Sequence, residues 1–186
     1  MRCLALSPPW RFTVSEKKHI CAQCAGKGPT CCEGNGRDIF VTRGDVKRIS
    51  MVVQDKDFYE FRKPVNHDYL DMDDPVWTAH VFRKDQTRRV IRLNSSGKCK
   101  FLNANGCMLP THIRPLICRL FPYQYSESGL YDELADECPK DFLSSGETLV
   151  QAIGINREDA LAWHQTLYQE ILWEKEDDEF EHRTHL

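Results

Sequence analysis

The sequence predicts an α+β fold: a small, loop-rich cysteine-cluster domain, stabilised by a metal, with a long C-terminal helix. Three observations carry this expectation. Apolar residues recur at helical spacing over residues 43–53 and 157–175. Two β-prone runs, 76–82 and 90–93, flank a polar stretch. Nine cysteines lie among 186 residues, and all but Cys3 fall between positions 21 and 138.

The elements follow in order. Residues 1–20 read as extended or irregular. Residues 21–37 carry four cysteines and four glycines, which suits a loop wrapped around a ligand. Residues 38–41 read as a short strand. Thr42 stands three residues before Asp45, a capping-box start, and Val46, Ile49 and Val52 or Val53 continue a helix over 43–53. Residues 54–75 are polar, with Pro64 and Pro75 as breakers, and are expected to be a loop with a short helical turn. The runs 76–82 and 90–93 read as a hairpin closed through Arg83-Lys84-Asp85-Gln86-Thr87. Pro115 is placed to open a short helix that Pro122 ends, and a second polar loop leads to Cys138-Pro139.

Asn156 is a good N-cap for the longest helix, over 157–175. Ala160, Trp163, Leu167 and Ile171, with Leu161, Tyr168 and Leu172, form one broad apolar face that reads as core. The charged residues 174–186 are expected to fray. Two parts result: residues 1–145 as the metal-binding domain, and residues 146–186 as a helical extension packed on it.

Bulk properties narrow the function. Hydrophobic residues make up 41% and charged residues 28%, an ordinary globular balance. A net charge of −3 and a pI of about 6.2 lack the basic footprint of a nucleic-acid binder. No stretch approaches the ~18 apolar residues of a membrane span. The proline-broken start does not form a secretory h-region. These features predict a cytoplasmic protein, in which thiols stay reduced and clustered cysteines serve as ligands or redox groups rather than disulfides. The partners they point to are a metal ion or cluster and a protein, not nucleic acid or membrane.

The first cysteine cluster is Cys21-x2-Cys24-x6-Cys31-Cys32. The x2 spacing lets one turn of chain aim two thiolates at one ion, as in zinc ribbons and iron–sulfur proteins. Gly26 and Gly28 allow the backbone to curl there. Cys31 and Cys32 are adjacent, so their side chains diverge in an extended segment and either one is the ligand, or each serves a different site. The second cluster is Cys99, Cys107 and Cys118, followed by Cys138. Cys99-Lys100-Phe101-Leu102 and Asn105-Gly106-Cys107 read as two ends of a tight β-turn, and Cys118 lies on the short helix begun by Pro115.

The order Cys21-x2-Cys24…Cys31-Cys32, Cys99-x-Phe101-Leu102…Gly106-Cys107, Arg114-Pro115-x-x-Cys118-Arg119-x-Phe121-Pro122 resembles the YkgJ-type cysteine-cluster family. That family is described as zinc- or iron-chelating, and flagellin lysine N-methylase carries a related cysteine signature. The resemblance covers about residues 19–140. The family's first motif is more compact than the one here, where six residues precede the Cys pair. The resemblance implies a metal centre without fixing a reaction.

Eight thiols, with Cys3 set aside, suffice for two four-thiolate sites or for one cluster with spare thiols. Ligands scattered over a long stretch, apolar neighbours (Phe101, Leu102, Leu120, Phe121) and Cys138-Pro139 favour an iron–sulfur cluster of the 4Fe–4S type, with zinc as the alternative. A buried thiolate site is anionic and needs compensation. Arg114 and Arg119 flank Cys118 and are expected to donate to sulfur or to nearby carbonyls, while Lys98 and Lys100 flank Cys99. His19 and His112 are weaker ligand candidates, and His164 reads as structural. Asp71, Asp73 and Asp74 read as a solvated acidic loop. No Rossmann glycine motif, Walker loop or nucleophile elbow is present. Three functions remain: a metal-binding module, a protein-lysine methyltransferase-like enzyme, or a redox or metal sensor using Cys31 or Cys32.

Overall fold

The computed structural model describes residues 20–25, 38–65, 74–135 and 140–184, with side chains as far as residue 174. The elements are α1 (Ile20–Ala25), α2 (Arg43–Ser50), β1 (Tyr59–Arg62), α3 (Pro75–His80), β2 (Arg88–Ile91), β3 (Leu102–Asn103), β4 (Gly106–Cys107), α4 (Leu116–Leu120), β5 (Tyr123–Ser126), β6 (Gly129–Leu134), α5 (Leu149–Ile153) and α6 (Arg157–Thr184). Single 3-10 turns span Thr111–Ile113 and Lys140–Phe142. The strands form three two-stranded antiparallel sheets, β1–β2, β3–β4 and β5–β6. The fold is therefore α+β.

Several elements form where the local chemistry points. The Asp45 N–H donates to Thr42 Oγ1 at 2.9 Å and the Thr42 N–H donates to the Asp45 carboxylate at 3.3 Å, so the capping box opens α2. The Asp159 N–H donates to Asn156 Oδ1 at 2.7 Å and opens α6. Leu116–Leu120 is helical directly after Pro115. The 38–41 stretch is not a separate strand. It runs beside β2 through a Phe40–Val90 bridge, with the Val41 N–H donating to Arg89 O at 3.1 Å.

Other readings are overturned. The 76–82 and 90–93 hairpin does not form. Asp74 accepts the Trp77 N–H at 2.9 Å and Pro75 takes the first helical turn, so capping chemistry converts this β-branched run into α3. The real partner of β2 is β1, in the register Tyr59↔Ile91 to Arg62↔Arg88, which lies inside the stretch read as a loop. Its polar residues are paired: Arg62 bonds Glu60 and Asp38, and Arg92 bonds Glu60. The second polar loop contains the hairpin β5–β6, turned at Gly129 with φ +138°. Asp74 is not solvated; it is buried at α3's N-terminus and its Oδ2 accepts the Tyr168 hydroxyl and the Glu127 N–H. α6 continues to Thr184, so it takes in most of the charged stretch 174–186. The readings for residues 1–19, 26–37, 66–73 and 136–139 fall outside the described residues.

Two apolar clusters form the interior. The larger joins Phe40, Trp77, Leu116, Leu120 and Tyr123 to Ala160, Leu167, Tyr168 and Ile171 of α6. Residues on both sides of position 145 thus share one core. Leu161 and Leu172 stay exposed, so the buried stripe of α6 is narrower than the sequence predicts. The smaller cluster groups Val41, Ile49, Phe58, Ile91, Cys99, Phe101 and Leu109. Among the described residues no helix is long and apolar enough to cross a membrane.

Candidate metal centre

Cys21 and Cys24 lie on α1, not on a loop. Their i, i+3 spacing places both on one helical face. That helix packs against β4, which carries Cys107, and against the 3-10 turn that begins at Lys140, two residues after Cys138. The approach to β4 is close. A Cβ on Gly106 would lie 3.3 Å from the backbone N and Cα of Ala22, and Gly106 has φ +96°. Both the contact and the dihedral call for glycine there. The β3–β4 hairpin, in the register Leu102↔Cys107 and Asn103↔Gly106, presents this surface, and Asn103 Oδ1 accepts the Asn105 N–H at 2.7 Å to shape its turn.

The other described cysteines are held elsewhere in the same framework. Cys99 bridges Leu93 and is buried in the smaller core cluster, against which Cys107 also packs. Cys118 is half-buried on α4. Cys31, Cys32, Cys138 and His19 lie outside the described residues. Among the described residues, no three histidine, cysteine, aspartate or glutamate side chains are grouped closely enough to hold an ion. His112 is exposed. His164 is buried, with Nε2 2.7 Å from Ser126 O, a structural contact as the sequence suggests.

The arginines around Cys118 tie backbone together. Arg114 Nε donates to Leu109 O at 3.1 Å and Arg119 Nε donates to Arg114 O at 2.8 Å. Arg119 is 8% exposed, its guanidinium lies 5.9 Å from the Trp163 ring, and Nη2 has no hydrogen-bond partner among the described residues. Burial lowers its pKa, and the carboxylate of Asp45 is the main influence opposing that shift. Lys100 is committed to Asp55 at 2.7 Å and to the Asp57 carbonyl at 2.5 Å.

The residue that sequence reasoning did not link to the cysteines is Asp45. Besides capping α2, its two carboxylate oxygens accept the Leu116 N–H at 3.1 and 3.2 Å. It also pairs with Arg48 at 2.7 Å and lies 3.8 Å from Arg119 Nη2. Burial raises its pKa, with the Arg48 hydrogen bond acting against that. Its only local signal was the capping box; nothing in the sequence indicated a bond to a residue 71 positions later. Glu170 and Glu174 of α6 complete the network. Glu170 accepts from Arg48 at 2.5 and 2.9 Å and from the Thr42 hydroxyl. Glu174 accepts from Arg89 at 2.8 Å and from the Arg43 N–H.

Thiols are the donors that a soft metal or an iron–sulfur cluster takes, but the described ones are not grouped as a site. The α1 turn that carries two thiols packs against the hairpin that carries Cys107, and Arg119, the residue after Cys118, is a buried cation whose Nη2 has no hydrogen-bond partner among the described residues. No protein-family model matches the sequence, and neither a curated protein nor a solved structure is significantly similar to it.

Proposed function

We propose that this is a cytoplasmic metal-binding protein that holds an iron–sulfur cluster of the 4Fe–4S type through cysteine thiolates, with zinc as the alternative. The observation that supports the reading best is the seating of α1, with Cys21 and Cys24, on the Cys107 hairpin across a contact that requires glycine. Cys31, Cys32, Cys99, Cys118 and Cys138 supply the further thiolates in this proposal. The resemblance to the YkgJ-type cysteine-cluster family belongs to the same proposal. A bound cluster would supply one-electron chemistry; a bound zinc would supply cross-linking of the chain. In this proposal the protein's own residues direct the thiols, Cys99 is buried from water, and Arg119 is the buried cation beside Cys118 in the chain. The biological role is electron transfer, metal handling or a cluster-stabilised adaptor.

The test is anaerobic purification followed by a visible spectrum and analysis of iron, acid-labile sulfide and zinc. A brown protein with iron and sulfide supports the cluster. A colourless protein with stoichiometric zinc supports the alternative. Protein with neither overturns the proposal.

A further inference from the structure

We infer that Asp45 is a positioning residue for Cys118: from α2 it clamps the inner face of α4, and so fixes the thiol that α4 carries on its outer face. The inference rests on the metal-binding reading above.

A five-residue helix has no independent stability, so something outside it must set its place. Pro115 precedes the helix and makes no side-chain cap. Asp45 provides that cap from another element, taking the Leu116 N–H between its two oxygens. The clamp is rigid because the Asp45 side chain is fully buried and bonded to the Thr42 N–H and Arg48 as well. Arg119 is held on the same side, within 3.8 Å of Asp45. Leu116, Arg119 and Leu120 are buried, whereas Cys118 is only half-buried. At about 100° per residue, Cys118 points roughly opposite Leu116 and Leu120. Locking the inner face therefore sets the direction of the thiol. Arg48 and Glu170 carry the same clamp to α6.

The test compares Asp45→Asn with the wild type and with Asp74→Ala, a variant that weakens the fold at α3 without touching α4. Asparagine keeps one oxygen for the Leu116 N–H but removes the charge that holds Arg48 and Arg119. One arm measures alkylation of Cys118 by iodoacetamide in the metal-free protein, located by mass spectrometry. The other measures loss of metal to EDTA from protein purified without oxygen. Asp45→Asn is expected to change the Cys118 alkylation rate where Asp74→Ala does not, and to speed metal loss by about tenfold, the usual scale for an outer-shell ligand partner. Asp74→Ala should leave both near wild type. If Asp45→Asn matches Asp74→Ala in both arms, the inference falls while metal binding stands. If the wild type carries no metal, the metal reading falls and the role of Asp45 towards a centre falls with it; an unchanged alkylation rate would then also remove its control of Cys118.

Discussion

Replacing Gly44 with alanine tests whether the α2–α6 contact is held by charge or merely by apolar packing. Gly44 sits in the first turn of α2, and a Cβ there would overlap the carboxylate of Glu170. That carboxylate cannot easily swing aside, because Arg48 holds both its oxygens, at 2.5 and 2.9 Å, and the Thr42 hydroxyl holds one. A charge-assisted hydrogen bond contributes about 1.5–3 kcal/mol. Arg48 is 26% exposed, so water replaces part of what is lost, and a displaced Glu170 keeps some attraction. A loss of about 2–4 kcal/mol is reasonable on that basis. Alanine returns about 1 kcal/mol through helix propensity. The net cost is about 2 kcal/mol, a fall of about 4–8 °C in melting temperature for a chain of this size. Calorimetry or urea unfolding reads it directly. In a Glu170→Ala background the overlap disappears, and Gly44→Ala should become neutral or stabilising. Equal destabilisation in both backgrounds, or a stabilised single variant, would refute the reasoning.

Three further outcomes follow from the same geometry. Gly106→Ala combines a positive φ with a 3.3 Å contact to the Ala22 backbone and should cost about 1–3 kcal/mol in urea unfolding, more than Gly97→Ala, where φ is +76° but the space is open. Asp74→Ala removes the cap of α3 and strands the Tyr168 hydroxyl and the Glu127 N–H, and should cost about 2–4 kcal/mol by thermal unfolding; a cost below about 1 kcal/mol would show that water replaces all three bonds. Burial raises the pKa of Glu174 above the ordinary ~4.3, against the pull of Arg89. The folded state then binds the proton more tightly, so this group's contribution to stability is largest below about pH 4 and falls as pH rises through the folded pKa. Glu174→Gln should remove that fall, and urea titrations from about pH 4 to 7 should show the variant gaining on the wild type as pH rises. The opposite trend would mean that Arg89 outweighs burial.

Legibility in the sequence tracked how local each determinant was. Thr42 with Asp45, Asn156 and Pro115 act on neighbours three or four residues away, and each was readable. The stretch 76–82 was misread because Val76, Val81 and Phe82 favour strands while Asp74-Pro75 favours a helix start; the cap prevailed, and Trp77 was buried by α6 from the far end of the chain. β1 was hidden because Glu60 and Arg62 look like loop residues until Arg92 and Asp38 arrive to pair with them. The cysteine spacing pointed to a metal centre, but not to α1 being helical nor to its landing on the Cys107 hairpin, which depends on a long-range contact through Gly106. Asp45 was visible as a cap and invisible as a clamp for the same reason.

The carboxylates that finish the start of α2 come from residues 170 and 174, more than 120 positions downstream. During synthesis at about 5–20 residues per second, α2 therefore waits for many seconds with its first turn facing water. A ribosome paused before residue 174 would hold a chain whose early helix is present in sequence but not yet clasped. Stalled chains of graded length, probed by limited proteolysis near residue 44, should stay cleavable until that last carboxylate clears the exit tunnel.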